Sequence, residues 1–305
     1  MKKFIIIDGA GLIYRAFFAI PAGFASPSGE PTNAVYGFTS MLINILSRHQ
    51  PDYIAVAHDR KEKTFRHEEY KEYKATRVAA PDTLYAQIPR VKELATAFSI
   101  SQFEKAGYEA DDLIATMIDR VSADTEVLVA TADFDIFQTV NDHVRILYPE
   151  KGYREAVFFG VEEIKKKYGL SPTQIPDYKG LCGDTSDNLK GVPGIGKKTA
   201  QKLLAEYGSV ENIYAHIGDI SGATKTKLEN GKEDAFFCKR LATLDYKVPF
   251  DFSLSDCAFR DFDMTKLLEI FTQLGFDSLR KRLPSLSVKH IALSPQSISE
   301  QASLF

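Results

Sequence analysis

Nine carboxylates occupy positions from which they could act together: Asp8, Asp59, Glu109, Asp111, Asp112, Asp133, Asp135, Asp184 and Asp187. Glu109/Asp111 and Asp133/Asp135 are two residues apart, and Asp184/Asp187 are three apart. Each group follows an apolar strand-like run or opens a helical one, where backbone N–H groups and the helix dipole favour negative charge. Taken singly, each pair reads more simply as helix caps and solvated turn residues. Taken together, nine anions converging on one sheet edge would repel one another unless cations neutralised them. They include no Cys or His, and hard oxygen ligands alone suit Mg²⁺ or Mn²⁺, not zinc. Two such ions ~3.5–4 Å apart are a common solution for in-line displacement at phosphorus.

The elements that must position these acids are legible in part. Residues 4–7, 53–57, 126–130 and 145–148 are short apolar runs of the kind that forms buried parallel strands, and three of them end at Asp8, Asp59 and Asp133. Residues 34–47, 84–98 and 110–121 carry apolar side chains at three- and four-residue spacing, which predicts helices between the strands. Alternating strands and helices imply an α/β fold with a mainly parallel sheet, whose ligands bind beyond the carboxyl ends of the strands. Beyond residue 160 the pattern predicts helices over 161–168, 172–181, 197–207, 210–217 and 222–243. From 284 to 305 the composition turns serine-rich and predicts a flexible tail.

The chain has 305 residues, 44% hydrophobic and 26% charged, which excludes a wholly disordered or fibrous chain. Its three cysteines form no CxxC pair, as expected in a reducing compartment without a zinc ribbon. No apolar run approaches the ~18 residues of a membrane span, so a cytoplasmic protein without membrane contact is expected. The net charge of −3 hides strong segregation. Residues 60–77 hold seven Lys/Arg against four Glu, and 189–202 hold four lysines and no acid. Cations with Phe65, Tyr70 and Tyr73 offer a phosphate backbone charge and the bases aromatic faces, although a solvated amphipathic helix has the same composition. Gly191-Val-Pro-Gly194-Ile-Gly196, followed by Lys197-Lys198, is a glycine-rich turn where backbone could approach a phosphate at the next helix's N-terminus. GxxxxGK[ST] is absent, so no ATP is expected.

The segments IIIDGAGLIYRAF, AVYGF, FRHEEYKEYKATR, GYEADD, TADFD, GDTSDN and GVPGIGKKTA, in this order, resemble the bacterial 5′ nucleases, including the 5′→3′ exonuclease domain of DNA polymerase I, over about residues 3–283. The resemblance implies a PIN-like fold and a structure-specific hydrolase that removes 5′ flaps and 5′-terminal nucleotides from DNA in replication and repair. It divides the acids into a first metal cluster (Asp8, Asp59, Glu109, Asp111, Asp112) and a second (Asp133, Asp135, Asp184, Asp187), holding two Mg²⁺ that Mn²⁺ could replace. It makes residues 60–81 a helical arch. Within and beside it, Lys74, Arg77 and Arg15 would handle the scissile phosphate, and Arg66, Tyr73 and Tyr36 would contact DNA. It makes the glycine turn a helix–hairpin–helix that grips duplex through Gly191, Gly194, Gly196, Lys197 and Lys198, with a K⁺ on the Val192 and Ile195 carbonyls.

The expected organisation is therefore a nuclease core at 1–160, a helical DNA-binding region at 161–283 and a tail at 284–305, acting as a monomer. Gln301, Leu304 and Phe305 resemble a peptide that docks on the bacterial sliding clamp. That peptide would suit a free-standing nuclease, whereas a chain cut from a polymerase would explain the length equally well. Phe134, His58 and Ala10-Gly11 depart from the family pattern and put phosphate positioning near them in doubt. The alternatives are an RNA-cleaving relative, or a non-catalytic clamp-tethered module that binds flaps.

Overall fold

The computed structural model describes residues 1–150, 156–260, 262–283 and 286; the expected clamp residues Gln301, Leu304 and Phe305 lie outside the described residues. Among the described residues six strands, β1 (Lys2–Asp8), β2 (Tyr53–Ala57), β3 (Ser101–Phe103), β4 (Thr125–Ala130), β5 (Val144–Tyr148) and β6 (Val157–Phe159), form one sheet in the order β3-β2-β1-β4-β5-β6. All neighbouring pairs are parallel except β5 and β6, which are antiparallel. The mainly parallel α/β sheet expected from the sequence is thus present, with one antiparallel edge.

The continuous apolar run of β1 follows from burial on both faces. Ile5 and Ile7 face one core, with helices α1 (Gly9–Ala19), α2 (Asn33–His49) and α5 (Ile88–Ala97); the short α3 (Phe65–Glu69) and α4 (Asp82–Tyr85) precede α5. Phe4 and Ile6 face the other core, under α6 (Ala110–Asp119). Each such side chain contributes about 1.5–3 kcal/mol on burial, which fixes the register firmly. In that register Asp8 pairs with Ala57, and Ile7 with Ala130. His58-Asp59 and Thr131–Asp133 therefore leave the sheet beside Asp8. The chain builds β2 and β3 on one side of β1 and returns to add β4 on the other, so this edge is a switch point where a ligand crevice forms.

Helices α7 (Val161–Tyr168), α8 (Ile175–Cys182), α9 (Lys197–Tyr207), α10 (Val210–Ala215), α11 (Gly222–Asn230) and α12 (Lys232–Ala242) follow. Leu181, Leu204, Leu228 and Ala235 centre a separate core among α8 to α12. The single helix expected over 222–243 is broken at Gly231, where a Cβ would meet Val192 Cγ1 at 2.8 Å. The one expected over 84–98 is divided because Pro89 can occupy only the first turn of α5. Helices α13 (Met264–Leu274) and α14 (Asp277–Arg280) return to the first core, where Leu267, Phe271 and Leu279 are buried.

The expected helical arch over 60–81 contains only α3 as regular helix, followed by turns that fold down over the sheet edge. Its base is fixed by Arg66, whose 1% exposure excludes a surface role in DNA binding. The guanidinium donates to Asp112 Oδ2 and Oδ1 at 2.7 and 2.8 Å, and to the carbonyls of Leu241 and Thr243 at 2.8 and 3.0 Å. Asp112 is fully buried and also accepts from the Asp245 and Glu109 amides at 2.9 and 3.2 Å. Its oxygens are committed, so Asp112 is a scaffold residue here and not an open metal ligand. Removing one partner of such a pair leaves a buried charge uncompensated. Asp112→Ala and Arg66→Met should each lose about 3–5 kcal/mol in urea unfolding. The double variant Arg66→Met/Asp112→Leu should recover much of that loss; additive losses would show that the pair is not the cause.

Candidate active site

Asp8 ends β1 and caps α1: its Oδ1 accepts from the Gly11 amide at 2.8 Å, and its Oδ2 accepts from the Thr131 hydroxyl at 2.7 Å. Only glycine fits at position 11, where a Cβ would lie 2.2 Å from Asp8 Oδ2. This explains the small residues that follow Asp8-Gly9. Asp59, after β2, accepts from the Ala110 amide at 2.8 Å, at the start of α6. Asp111 sits on the first turn of α6, and Glu109 caps it. Together with Asp133, these acids line a cleft of about 880 Å³.

Burial pushes Asp8 from its ordinary 3.8 up to about 7, against the hydrogen bonds from Gly11 and Thr131. Asp111 lies well above the carboxylate range, through burial and then the charges of Asp133, Asp8, Asp59 and Glu109. These raised values express charge that nothing nearby neutralises. His58 also lines the cleft; burial holds it down at about 4, so it brings no positive charge there at neutral pH.

A second group forms where Asp135, Asp184 and Asp187 bring carboxylate oxygens within 4.8 Å of one another. Asp133, expected in this group, lines the first cleft instead and links the two by accepting from the Asp135 amide at 2.8 Å. The second group holds a cation that the sequence did not reveal: Lys179 of α8, 6% exposed, whose Nζ contacts both Asp135 Oδ1 and Asp184 Oδ2. Burial nevertheless raises Asp135 to about 7. Burial also opposes the charge of Asp184, but Lys179 and the Ser186 donors outweigh it and hold that carboxyl at about 2. The lysine is shared between the two carboxylates.

The turn after α3 lies across both groups. Lys74 Nζ donates to Glu109 Oε1 at 2.6 Å, and Arg77 Nη2 to Asp187 Oδ1 at 2.7 Å. Lys74 adopts a left-handed backbone, φ 55°, held by its amide on the Asp187 carbonyl at 3.1 Å. Tyr73 is no stacking platform: it is 3% exposed, and its hydroxyl lies 3.1 Å from both Glu109 Oε2 and Asp187 Oδ2.

The remaining expected residues are dispersed. Arg15 points to the Pro149 carbonyl. Tyr36 packs between Phe24 and Phe276, with its hydroxyl 2.8 Å from Ser278 Oγ, so its ring belongs to the packing of α2. Phe134 turns into an aromatic cluster, its ring centroid 4.8 Å from that of Tyr168, so its ring belongs to packing. In the glycine turn, Gly191 has φ 62° and a Cβ there would lie 2.2 Å from the Gly183 amide nitrogen. Val192 and Ile195 are buried and close the turn through a 3.0 Å backbone bond. Gly194, Gly196, Lys197 and Lys198 are exposed where α9 begins. The Lys227 ammonium donates to the Gly194 carbonyl at 3.2 Å, so the turn's carbonyls face a cation.

The donor sets fit hard divalent cations. The first cleft offers carboxylate oxygens without a positive partner on Asp8 or Asp111, and the second offers three converging carboxylates. Among the described residues neither group has a sulfur donor, and the second has no imidazole; His58 and His67 line the first cleft beside its carboxylates.

Two family models match in succession: the 5′-3′ exonuclease N-terminal resolvase-like domain over residues 3–169, and the 5′-3′ exonuclease C-terminal SAM fold over 170–265. DNA polymerase I of Caldicellulosiruptor bescii is 42% identical over 284 residues, covering 92% of this chain and 33% of the relative. DNA polymerase I of Bacillus caldotenax is 43% identical over 288 residues, covering 94% and 33%. The chain thus spans about a third of the length of the curated relatives it matches. Among solved structures, T5 5′-exonuclease with bound divalent metal ions (zinc) superposes with a TM-score of 0.67 at 20% identity, covering 93% of this chain and 98% of that one. The catalytic core of Rad2 in complex with DNA substrate superposes with a TM-score of 0.58 at 18% identity, covering 93% and 92%. The two structures agree with this chain in fold, and the two family models together establish that it belongs to the 5′-3′ exonuclease family.

Proposed function

We propose that the chain is a structure-specific 5′ nuclease that hydrolyses DNA phosphodiesters at 5′ flaps, nicks and 5′ ends, using two Mg²⁺ held by the two carboxylate groups. The observation that carries this reading is the cleft in which Asp8, Asp59, Glu109, Asp111 and Asp133 meet Lys74 and Arg77 on its wall. The chemistry that divalent ions supply when bound is Lewis acidity toward phosphate oxygens and acidification of water. The chain's own residues do the rest. Gly11, Thr131 and the Ala110 amide fix the directions of Asp8 and Asp59. Lys74 and Arg77 hold their charges at the cleft beside Glu109 and Asp187, from which a scissile phosphate can recruit them. The exposed Gly194–Lys198 corner meets duplex phosphates without reading sequence, which makes binding salt-sensitive. A K⁺ on the Val192 and Ile195 carbonyls would serve the same contact, in a turn that already attracts the Lys227 ammonium. The protein works as a cytoplasmic monomer, and among the described residues no helix is long and apolar enough to cross a membrane.

The deciding experiment uses a 5′-labelled double-flap duplex. Mg²⁺ should release the flap near its junction and EDTA should stop it; binding without cutting in both Mg²⁺ and Mn²⁺ would favour a flap-binding module. Asp111→Ala and Asp135→Ala should lower cleavage by about a thousandfold or more while leaving flap affinity within a few fold, because their oxygens contribute to charge stabilisation and not to the duplex grip. Equal losses of binding and cleavage would refute the metal assignment.

The metal-free protein should also show a specific pH dependence. Asp8 and Asp135 titrate near 7 when folded, against 3.8 ordinarily, so the folded state binds their protons more tightly. That stabilisation is complete below about 3.8 and is lost as pH rises through about 7. Asp184, held at about 2, contributes in the opposite sense, but only below the ordinary carboxylate range. In EDTA the melting temperature should therefore fall by several degrees between pH 5 and pH 8. Mg²⁺ should flatten the fall, and a flat profile in EDTA would contradict the buried-charge account.

Finally, Gln301, Leu304 and Phe305 supply the glutamine and apolar pair of a clamp-docking peptide. Deleting 301–305 should spare cleavage of oligonucleotides and abolish binding to the sliding clamp in a pull-down; retained clamp binding would discard the peptide.

A further inference from the structure

The two carboxylate groups are compensated in different ways. In the first, Asp8 and Asp59 accept only from neutral donors: the Gly11 amide, the Thr131 hydroxyl and the Ala110 amide. In the second, protein donors already saturate most of the oxygens. Asp184 Oδ1 takes the Ser186 amide and hydroxyl at 2.8 and 2.7 Å, and its Oδ2 takes Lys179. Asp187 Oδ1 takes Arg77 at 2.7 Å, and its Oδ2 lies 3.1 Å from the Tyr73 hydroxyl. Asp135 Oδ1 is in ion-pair contact with Lys179 but has no hydrogen-bond donor among the described residues.

The two cations differ in how easily they leave. The Arg77 side chain is 49% exposed, so its guanidinium can turn to water or phosphate, while Asp187, 6% exposed, keeps the Tyr73 hydroxyl and the Ser186 hydroxyl within reach. The Lys179 side chain is 8% exposed and sits between two acids that are themselves only 14% exposed. Its ammonium cannot leave both carboxylates without losing compensation in a poorly hydrated place.

We propose that Lys179 is the internal counter-cation of the second carboxylate group, that it uses the same Asp135 and Asp184 oxygens a divalent ion would need, and that it must withdraw before an ion binds there. The proposal rests on the reading of the two groups as metal sites. It makes Lys179 a positioning residue that keeps Asp135 and Asp184 together in the metal-free protein and sets the order of loading. Asp8, Asp59 and Asp111 of the first group can take an ion without displacing a cation, whereas Glu109 is held by Lys74; the second group fills only when the lysine is displaced.

The test is Mn²⁺ binding to the whole chain without DNA, followed by the EPR signal of free Mn²⁺. The wild-type chain should show one tight and one weak site. Lys179→Met, close in shape and without charge, should tighten the weak site by about tenfold or more, since the lost repulsion at ~4 Å is large even in a well-screened interior. Lys179→Arg, which keeps the charge, should leave the second site weak. Asp135→Asn on the Lys179→Met background should remove the gained affinity. A second site equally weak or weaker in Lys179→Met would overturn the proposal.

Should Lys179→Met lose the wild-type circular dichroism spectrum, the wild-type chain decides the matter. With lysines labelled with ¹³C at Cε, and Lys179 assigned from the Lys179→Arg spectrum, Mg²⁺ should move the Lys179 resonance only as the second site fills. A resonance unmoved to saturation would overturn the proposal. Failure of the wild-type chain to bind any Mn²⁺ would instead overturn the metal-site reading itself, and this proposal with it.

Discussion

Mutual repulsion among the acids at one end of a parallel sheet is the constraint that the surrounding structure answers. Two unit charges 4 Å apart cost about 4 kcal/mol at an effective dielectric constant of 20, a large part of a domain's net stability. Parallel register forces the convergence, because Asp8, Asp59 and Asp133 follow three adjacent strands. Several devices meet the cost. Backbone and hydroxyl donors hold Asp8 and Asp59; Arg66 neutralises Asp112 in the interior; Lys179, Lys74 and Arg77 neutralise Asp135, Asp184, Glu109 and Asp187. What is left uncompensated, together with burial, appears as proton affinity at Asp8, Asp111 and Asp135. That residue of charge is what a hard cation can use.

The cores tolerate this load because they lie behind the site. Both faces of β1 are covered, and the helical region has a separate core around Leu181, Leu204, Leu228 and Ala235. Arg66 ties these units together: one side chain reaches from α3 to Asp112 on α6 and to the Leu241 and Thr243 carbonyls at the end of α12. A buried ion pair of this kind is weak evidence for stability in itself. Its consequence here is geometric, since it sets where the turn bearing Tyr73, Lys74 and Arg77 leaves the core.

The strands that carry acids were legible in the sequence because burial on both faces demands unbroken apolar runs, and 53–57 matches β2 residue for residue. β3 and β6 were not: each has three residues at a sheet edge, too few to show a period. Along α6, Asp111 and Asp112 are indistinguishable in sequence, yet successive residues on a helix lie about 100° apart. One therefore faces the cleft and the other meets Arg66. Arg66 and Tyr73 looked like nucleic-acid contacts because a cation beside an aromatic has the same composition whether it faces solvent or is buried. Lys179 gave no signal at all: a single lysine in IPDYKGLC becomes a counterion only when α8 packs beside the turn that begins with Asp135. The metal-type acids were readable as a set, whereas their partners were set by tertiary contacts.

The arch turn joins the two carboxylate groups through charge. Lys74 pairs with Glu109, at the first cleft, while Arg77 and the Lys74 amide hold Asp187, in the second group, and Tyr73 lies within reach of both acids. Occupancy of the acids and attachment of this turn are therefore thermodynamically linked, and the linkage is reciprocal. A cation that competes for Glu109 or Asp187 loosens the turn, and a phosphate that draws Lys74 or Arg77 away leaves those acids more open to cations. The left-handed backbone at Lys74 adds to this balance, since its strain is retained only while the contact with the Asp187 carbonyl holds. Phosphate and cation thus favour each other's binding through these side chains, without a separate conformational switch.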